Sequence, residues 1–303
     1  MIGDLGRNGA VTTANIQDMD APTAAKTLGE RVEQLTRSQK SWISSFTAQF
    51  GMRHEFKRAP DSNLVNDVVL ENVGDLLRIH HAMSRRALSK APFEYAFEKA
   101  LQLSGHKARL ADSATNPGYD LEVDGQRISL KTEASKNIKE HEIHVSKWLE
   151  MGKGEWNPPA IQFPRFLEHM QGYDRILTLR CLVQAGSRYF YELVEIPKEL
   201  MLEAASGAME KAPKTKQATS PWYCRVLDQS ATADLLSKYE AGGRRGKEPK
   251  PIYKLSLYFD AGSERKLQVK GLLKRHCLVH ATWDFESIQL AGAEPDEKEA
   301  GES

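Results

Sequence analysis

The dipeptide Asp124-Gly125 constrains this chain more than any other feature. It separates two runs of alternating residues, 119–123 and 126–133. A two-residue turn between such runs needs φ > 0 at both central positions, which Asp and Gly tolerate. A turn of that length fixes the register by geometry: Val123 faces Gln126, Leu121 faces Ile128 and Asp120 faces Ser129. Side chains alternate along a strand, so one sheet face carries Tyr119, Leu121, Val123, Ile128 and Leu130, fit for a core. The other carries Asp120, Glu122, Arg127, Ser129, Lys131 and Glu133, a patch of charge.

The charged face has a pointed chemistry. Asp120 and Ser129 would be directly opposed, with Cβ atoms roughly 5 Å apart, and Lys131 and Glu133 continue along the same edge. Carboxylates and an ammonium group converging at a strand end suit Mg²⁺, which takes oxygen ligands, keeps several waters and sits on one or two carboxylates plus substrate phosphates. A lysine beside it can orient or help deprotonate the attacking water and offset charge on the phosphorus centre. The reaction class that fits is metal-assisted hydrolysis of a phosphodiester. The bland reading is a solvated hairpin in which Glu122 and Arg127 form an ordinary cross-strand pair.

Pro117-Gly118-Tyr119-Asp120, followed nine residues on by Ser129-Leu130-Lys131, resembles the PD-(D/E)-x-K motif of nucleases, as found in type II restriction endonucleases. The resemblance implies an α/β chain: a mixed central sheet whose first hairpin carries the site, flanked by helices, behind an N-terminal helical extension. It implies that Asp120 and the main-chain carbonyl of Leu130 hold the metal and that Lys131 positions or activates water. Two departures matter. The proline is three residues before the Asp rather than adjacent to it, and Ser129 stands in the slot of the second acid. A serine there resembles a subgroup that recruits its second carboxylate from elsewhere. Glu133, on the same strand face, is the first choice, Glu142 the second, and Glu98 on the preceding helix the third. The implied activity is a Mg²⁺-dependent endodeoxyribonuclease that cuts double-stranded DNA at a specific sequence. Cutting both strands of a palindrome implies a homodimer. A modification-dependent or structure-specific nuclease on the same fold, or an inactive DNA-binding relative in which Ser129 marks a lost acid, stay open.

A net charge of +1 over 303 residues would argue against a nucleic-acid partner, but its distribution does not. The last thirteen residues carry −4, leaving +5 for the rest. Residues 244–275 hold ten Lys/Arg against three Asp/Glu, a local +7. An enzyme can delegate phosphate attraction to one such strip. Arg244, Arg245, Arg265, Lys266, Gln268, Lys270, Lys274 and Arg275 are its expected DNA contacts, with Lys266, Gln268 and Lys270 in a row along one strand face. Three widely spaced cysteines and a polar start without an apolar core point to reduced thiols in a cytoplasmic protein. No run approaches 18 apolar residues, so no membrane span is expected.

Along the chain, residues 1–20 and 291–303 read as disordered, 21–60 as the helical extension and 61–290 as the nuclease domain. Helical periodicity runs over 23–50, in one helix or two, and again from an Asp61-Ser62 cap to Met83. A third helix begins after Ser89, with Pro92 in its first turn and Gly105 beyond its end; Glu94 and Glu98 share one of its faces. Val145–Met151 reads as a short helix and Pro197 as the start of one running to about Met209. His141 and His144 lack a third ligand, so their spacing does not indicate zinc.

Overall fold

The computed structural model describes residues 19–112, 118–134, 138–150, 159–213, 221–244, 246–260 and 266–288. Apart from Met19 and Asp20, the termini expected to be disordered lie outside these, as do Arg245 and Arg265. The chain divides into two compact units, residues 1–51 and 52–303. The first holds helices α1 (Ala21–Glu33) and α2 (Arg37–Phe50). The periodic stretch 23–50 breaks in two because Thr36 closes a capping box. Its hydroxyl accepts from the Gln39 N–H at 3.2 Å, and the Gln39 side chain accepts from the Thr36 N–H at 2.9 Å.

The second unit runs β1 (His54–Arg58), α3 (Asp67–Met83), α4 (Lys90–Leu103), β2 (Ala108–Leu110), β3 (Leu121–Val123), β4 (Gln126–Glu133) and β5 (Glu142–Glu150). It continues through α5 (Pro159–Met170), β6 (Arg175–Ala185), β7 (Arg188–Glu195), α6 (Lys198–Leu202), β8 (Ala208–Lys211) and β9 (Pro221–Leu227). It closes with α7 (Gln229–Ala241), β10 (Tyr253–Asp260), β11 (Lys266–Leu273) and β12 (Leu278–Glu286). Seven strands make a mixed sheet in the order β1-β12-β7-β6-β4-β3-β2, in which only β4 and β6 run parallel. The expected mixed central sheet is therefore present. It is joined by a second, antiparallel sheet, β5-β11-β10-β9-β8, which the sequence reading did not separate.

Three boundaries differ from expectation, each for a local reason. Residues 145–150 of the expected helix 145–151 are a strand, and Met151 lies outside the described residues: Ile143 and Val145 bury at a spacing of two, and β11 pairs with them. Ser62 caps only a turn, accepting from the Val65 N–H at 3.0 Å, and α3 starts later, where Asn66 accepts from the Val69 N–H at 2.9 Å. The helix after Pro197 stops at Leu202 and, after one 3₁₀ turn, gives way to β8. Gly207 turns the chain there against β9, so closely that a Cβ would lie 2.6 Å from Cys224 Sγ.

The seven-stranded sheet is covered on both faces. Helices α3 and α4 bury Leu121, Val123, Ile128 and Leu130 together with Leu177, Leu193 and Trp283. The opposite face meets α5 and the second sheet around Ile176, Val194, Trp148 and Tyr173. Ser129, Lys131 and Glu133 point to this second side and are only 2%, 9% and 5% exposed. The charged side of the hairpin is thus a buried polar layer rather than a solvated face. Tyr119, just before β3, packs into this second core instead of following Leu121.

Arg180, fully buried, is the centre of that layer. Its Nε donates to Glu133 Oε2 at 2.6 Å, its Nη1 donates to Glu192, and its Nη2 donates to the carbonyls of Lys139 and Glu142 at 2.7 and 2.8 Å. Lys274 completes the pairing, 2.9 Å from the other oxygen of Glu192. Breaking one member of a buried pair strands its partners, at a cost of about 3–5 kcal/mol. Arg180→Ala is expected to lower unfolding free energy by that amount in a urea titration at unchanged slope; a loss below about 1 kcal/mol would mean that the carboxylates find water instead.

Candidate active site

Asp124 and Gly125 adopt φ of 50° and 85°, the turn that the dipeptide requires, and the register is Leu121↔Ile128, Glu122↔Arg127 and Val123↔Gln126. That register carries Asp120 to the edge of β4, where its N–H donates to the Ile128 carbonyl at 3.0 Å. One carboxylate oxygen, Oδ2, accepts from the Leu130 N–H at 2.6 Å and from Ser129 Oγ at 3.3 Å. The N–H and C=O of an extended residue point the same way, so the Leu130 carbonyl faces the Asp120 edge as well. Lys131 Nζ donates to Ser129 Oγ at 2.9 Å. Ser129 therefore accepts from the lysine and donates to the carboxylate, linking the two groups. Asp120, Ser129, Leu130 and Lys131 come together as the spacing indicated.

The second carboxylate nearby comes from α4. Lys90, the first residue of that helix, reaches Asp120 Oδ1 at 2.6 Å and Glu94 Oε1 at 3.0 Å. One cationic atom thus bridges two half-buried carboxylates. Burial works against the Lys90 charge, but the hydrogen bonds and charges of Asp120 and Glu94 raise its pKa overall. The donor set of Asp120, Glu94 and the Leu130 edge fits a hard cation, because a positive group already sits between the carboxylates and the remaining ligands would be water and phosphate. Among the described residues no cluster of three His, Cys, Asp or Glu side chains forms a closed metal cage.

The three carboxylates named from sequence lie elsewhere. Glu133 gives one oxygen to Arg180 and the other to the His144 N–H at 3.1 Å; burial raises its pKa against the pull of Arg180. Glu142 accepts from Lys139 at 2.8 Å. Glu98 accepts from the Leu110 N–H at 2.8 Å, fastening α4 to β2. Helical spacing alone did not separate Glu94 from Glu98, since both share a face; only the placement of Asp120 distinguishes them.

Trp148 and His169 lie within reach of the Lys131 charge. Lys131 Nζ lies 5.8 Å from the centroid of the buried Trp148 ring on β5. Burial pushes the Lys131 pKa down to about 8, against the attraction of Asp120 and with Lys90 adding to the fall. His169, at the end of α5, packs edge-on to Tyr173 at 5.3 Å, and burial with the charge of Lys131 pushes its pKa down to about 4. Gly172 lets this corner close on the motif: a Cβ there would stand 2.8 Å from Gly118 Cα, two residues before Asp120. Of the expected DNA contacts, Arg244 pairs with Glu240 at 3.0 Å, Lys274 with Glu192, and Arg275 with Asp228 at 2.5 Å. Gln268 and Lys270 lie on β11, and the side chain of Lys266 is outside the described set.

Comparison with known proteins gives the family. The family of SmaI type II site-specific deoxyribonucleases matches residues 28–254. The type II restriction enzyme SmaI of Serratia marcescens is 40% identical over 252 residues, which is 83% of this chain and 93% of that enzyme. No solved structure matches the chain. The match spans both units of the chain and the whole of the hairpin and α4, and it establishes the family: this chain belongs to the SmaI type II site-specific deoxyribonucleases.

Proposed function

We propose that this deoxyribonuclease cuts duplex DNA at the Asp120–Lys131 hairpin with Mg²⁺ as its cofactor, and that Glu94 is the second carboxylate. The observation that carries the reading is the bridging of Asp120 and Glu94 by a single cationic atom beside Lys131. Mg²⁺ bound there would polarise the scissile phosphate and favour ionisation of water. The residues of the chain do the rest. Asp120, Glu94 and the Leu130 carbonyl fix the cation. Ser129 holds Lys131 and Asp120 in one line. Lys131, shielded by Trp148, orients the attacking water and takes up or shares its proton. The lowered lysine pKa supports this, because an ordinary lysine would stay fully charged near neutral pH. Lys90 offsets the repulsion of the two carboxylates that would hold the cation.

A two-fold dimer is part of the proposal, since a palindrome presents one scissile bond per strand to each copy. A mass in solution twice the 34.0 kDa of the chain is expected, and a monomer that makes double-strand breaks in one binding event would contradict it. The cytoplasm is the proposed location. The described residues contain no helix long and apolar enough to cross a membrane.

Plasmid digestion with defined variants tests the assignment. Asp120→Ala and Lys131→Ala are each expected to lower cleavage on the order of 10³-fold. Glu94→Gln should lower it on the order of 10²-fold and raise the Mg²⁺ needed for half-maximal rate. Glu98→Gln should leave both nearly unchanged. The reverse order for Glu94 and Glu98 would move the second ligand.

The pH profile gives an independent check. Lys131 accepts a proton only in its neutral form, so cleavage at saturating Mg²⁺ should rise with pH up to about 8, or below that once the metal adds its charge, and then level off. Lys131→Arg, which stays charged, should abolish that limb along with most of the activity. A wild-type profile that stays flat from pH 6 to 9 with chemistry rate-limiting would remove Lys131 from the proton transfer.

A further inference from the structure

The five-stranded sheet has two unlike sides. Val145, Val269, Leu257 and Cys224 stand level across β5, β11, β10 and β9 and fill its core side. Strand alternation sends their neighbours His144, Gln268, Lys270, Tyr258 and Tyr223 to the other side.

Cations and aromatic rings interleave there. Tyr223 and Tyr258 meet edge to face with centroids 5.2 Å apart. The Arg225 guanidinium lies 4.5 Å over the Tyr223 ring and 5.2 Å from Tyr253, and Glu210 on β8 pairs with it. Lys270 Nζ sits 5.2 Å over Tyr258. Two polar atoms of this layer, Gln268 Oε1 and His144 Nε2, are buried and have no hydrogen-bond partner among the described residues. Buried polar atoms nearly always have one, so this pair calls for an explanation.

We propose that this side of the sheet reads base edges of duplex DNA, with Gln268, Arg225 and Lys270 as its hydrogen-bonding side chains and Tyr223 and Tyr258 as their rigid platform. The inference rests on the endonuclease reading of the hairpin. The occupant follows from charge and side-chain chemistry: Arg, Lys and Gln match the acceptor and donor patterns that base edges display in the major groove. Rings under the cations hold long side chains in place, which lowers the entropy lost on binding. Arg244, Lys274 and Arg275 pair with carboxylates, as Arg225 does with Glu210. Strand β5 belongs to both sites: its Trp148 lies beside Lys131, its His144 N–H holds Glu133, and its outer side borders β11.

The test uses the full-length enzyme and the duplex it cuts, identified by mapping plasmid fragments, together with duplexes changed at one base pair of that site. Fluorescence anisotropy with Ca²⁺ in place of Mg²⁺ gives the affinity for each. Gln268→Ala and Arg225→Ala are expected to shrink discrimination at one base pair each by roughly 5- to 150-fold. Gln268→Met, which keeps the side-chain length but not the amide, should lose the same discrimination, which separates the amide's role from a disturbance of the sheet by alanine. Uniform weakening on every duplex would reduce these residues to phosphate contacts and overturn the proposal. Unchanged affinity and discrimination would overturn it as well. Asp120→Ala, run alongside, separates the two readings: if it still cuts, the hairpin assignment fails whatever the sheet does.

Discussion

Asp124 and Gly125 both take positive φ, and the tight turn they make allows the hairpin one register. Every distance at the site follows from that register. A slip of one residue would send Ser129 and Lys131 to the apolar side and bring Leu130 into the polar layer. In the observed register, Asp120 replaces a ladder partner at the end of β3, its carboxylate taking the Leu130 N–H at 2.6 Å. The same bond that ends the pairing of β3 orients the carboxylate. Helix α4 then needs only its first turn near that point for Lys90 and Glu94 to meet it.

The hairpin lies in a layer that is polar yet almost dry. Ions in such a layer cost several kcal/mol each unless paired, so the layer has to be satisfied throughout. Arg180 does this for Glu133 and Glu192, and Lys274 completes it. Lys131 is the exception. It bonds to a serine hydroxyl at 2.9 Å and lies against an aromatic ring. Its depressed pKa is the electrostatic consequence of its burial. The second sheet is what excludes water, through Trp148 on β5 and the aromatic cluster beneath it.

Much of this was legible in the chain alone. The turn residues gave the register, the alternation gave the two faces, and Asp120, Ser129, Leu130 and Lys131 followed from spacing. The helix after Ser89 and the strands at 252–285 were visible for similar local reasons. What escaped depended on distant partners. Val145–Glu150 read as helical because the pairing strand β11 lies more than 110 residues on. Glu133 sat on the correct face by periodicity, but Arg180, which occupies it, comes from β6. Glu94 could not be told from Glu98, because four residues of helix place both on one side and only the tertiary position of Asp120 chooses between them. Lys274 and Arg275 looked like the other basic-strip residues until their carboxylate partners, Glu192 and Asp228 from distant segments, appeared.

The central claim is that Asp120 and Glu94, not Glu133, share the cation beside Lys131. A crystal structure of the enzyme on its cleavage site, with Mn²⁺ replacing Mg²⁺, tests it directly through the anomalous signal of the metal. The account predicts a peak bound by one oxygen each of Asp120 and Glu94 and by the Leu130 carbonyl, with the Lys90 ammonium withdrawn from between the carboxylates. A metal held by Glu133, with Arg180 displaced and Lys90 still bridging Asp120 and Glu94, would contradict it.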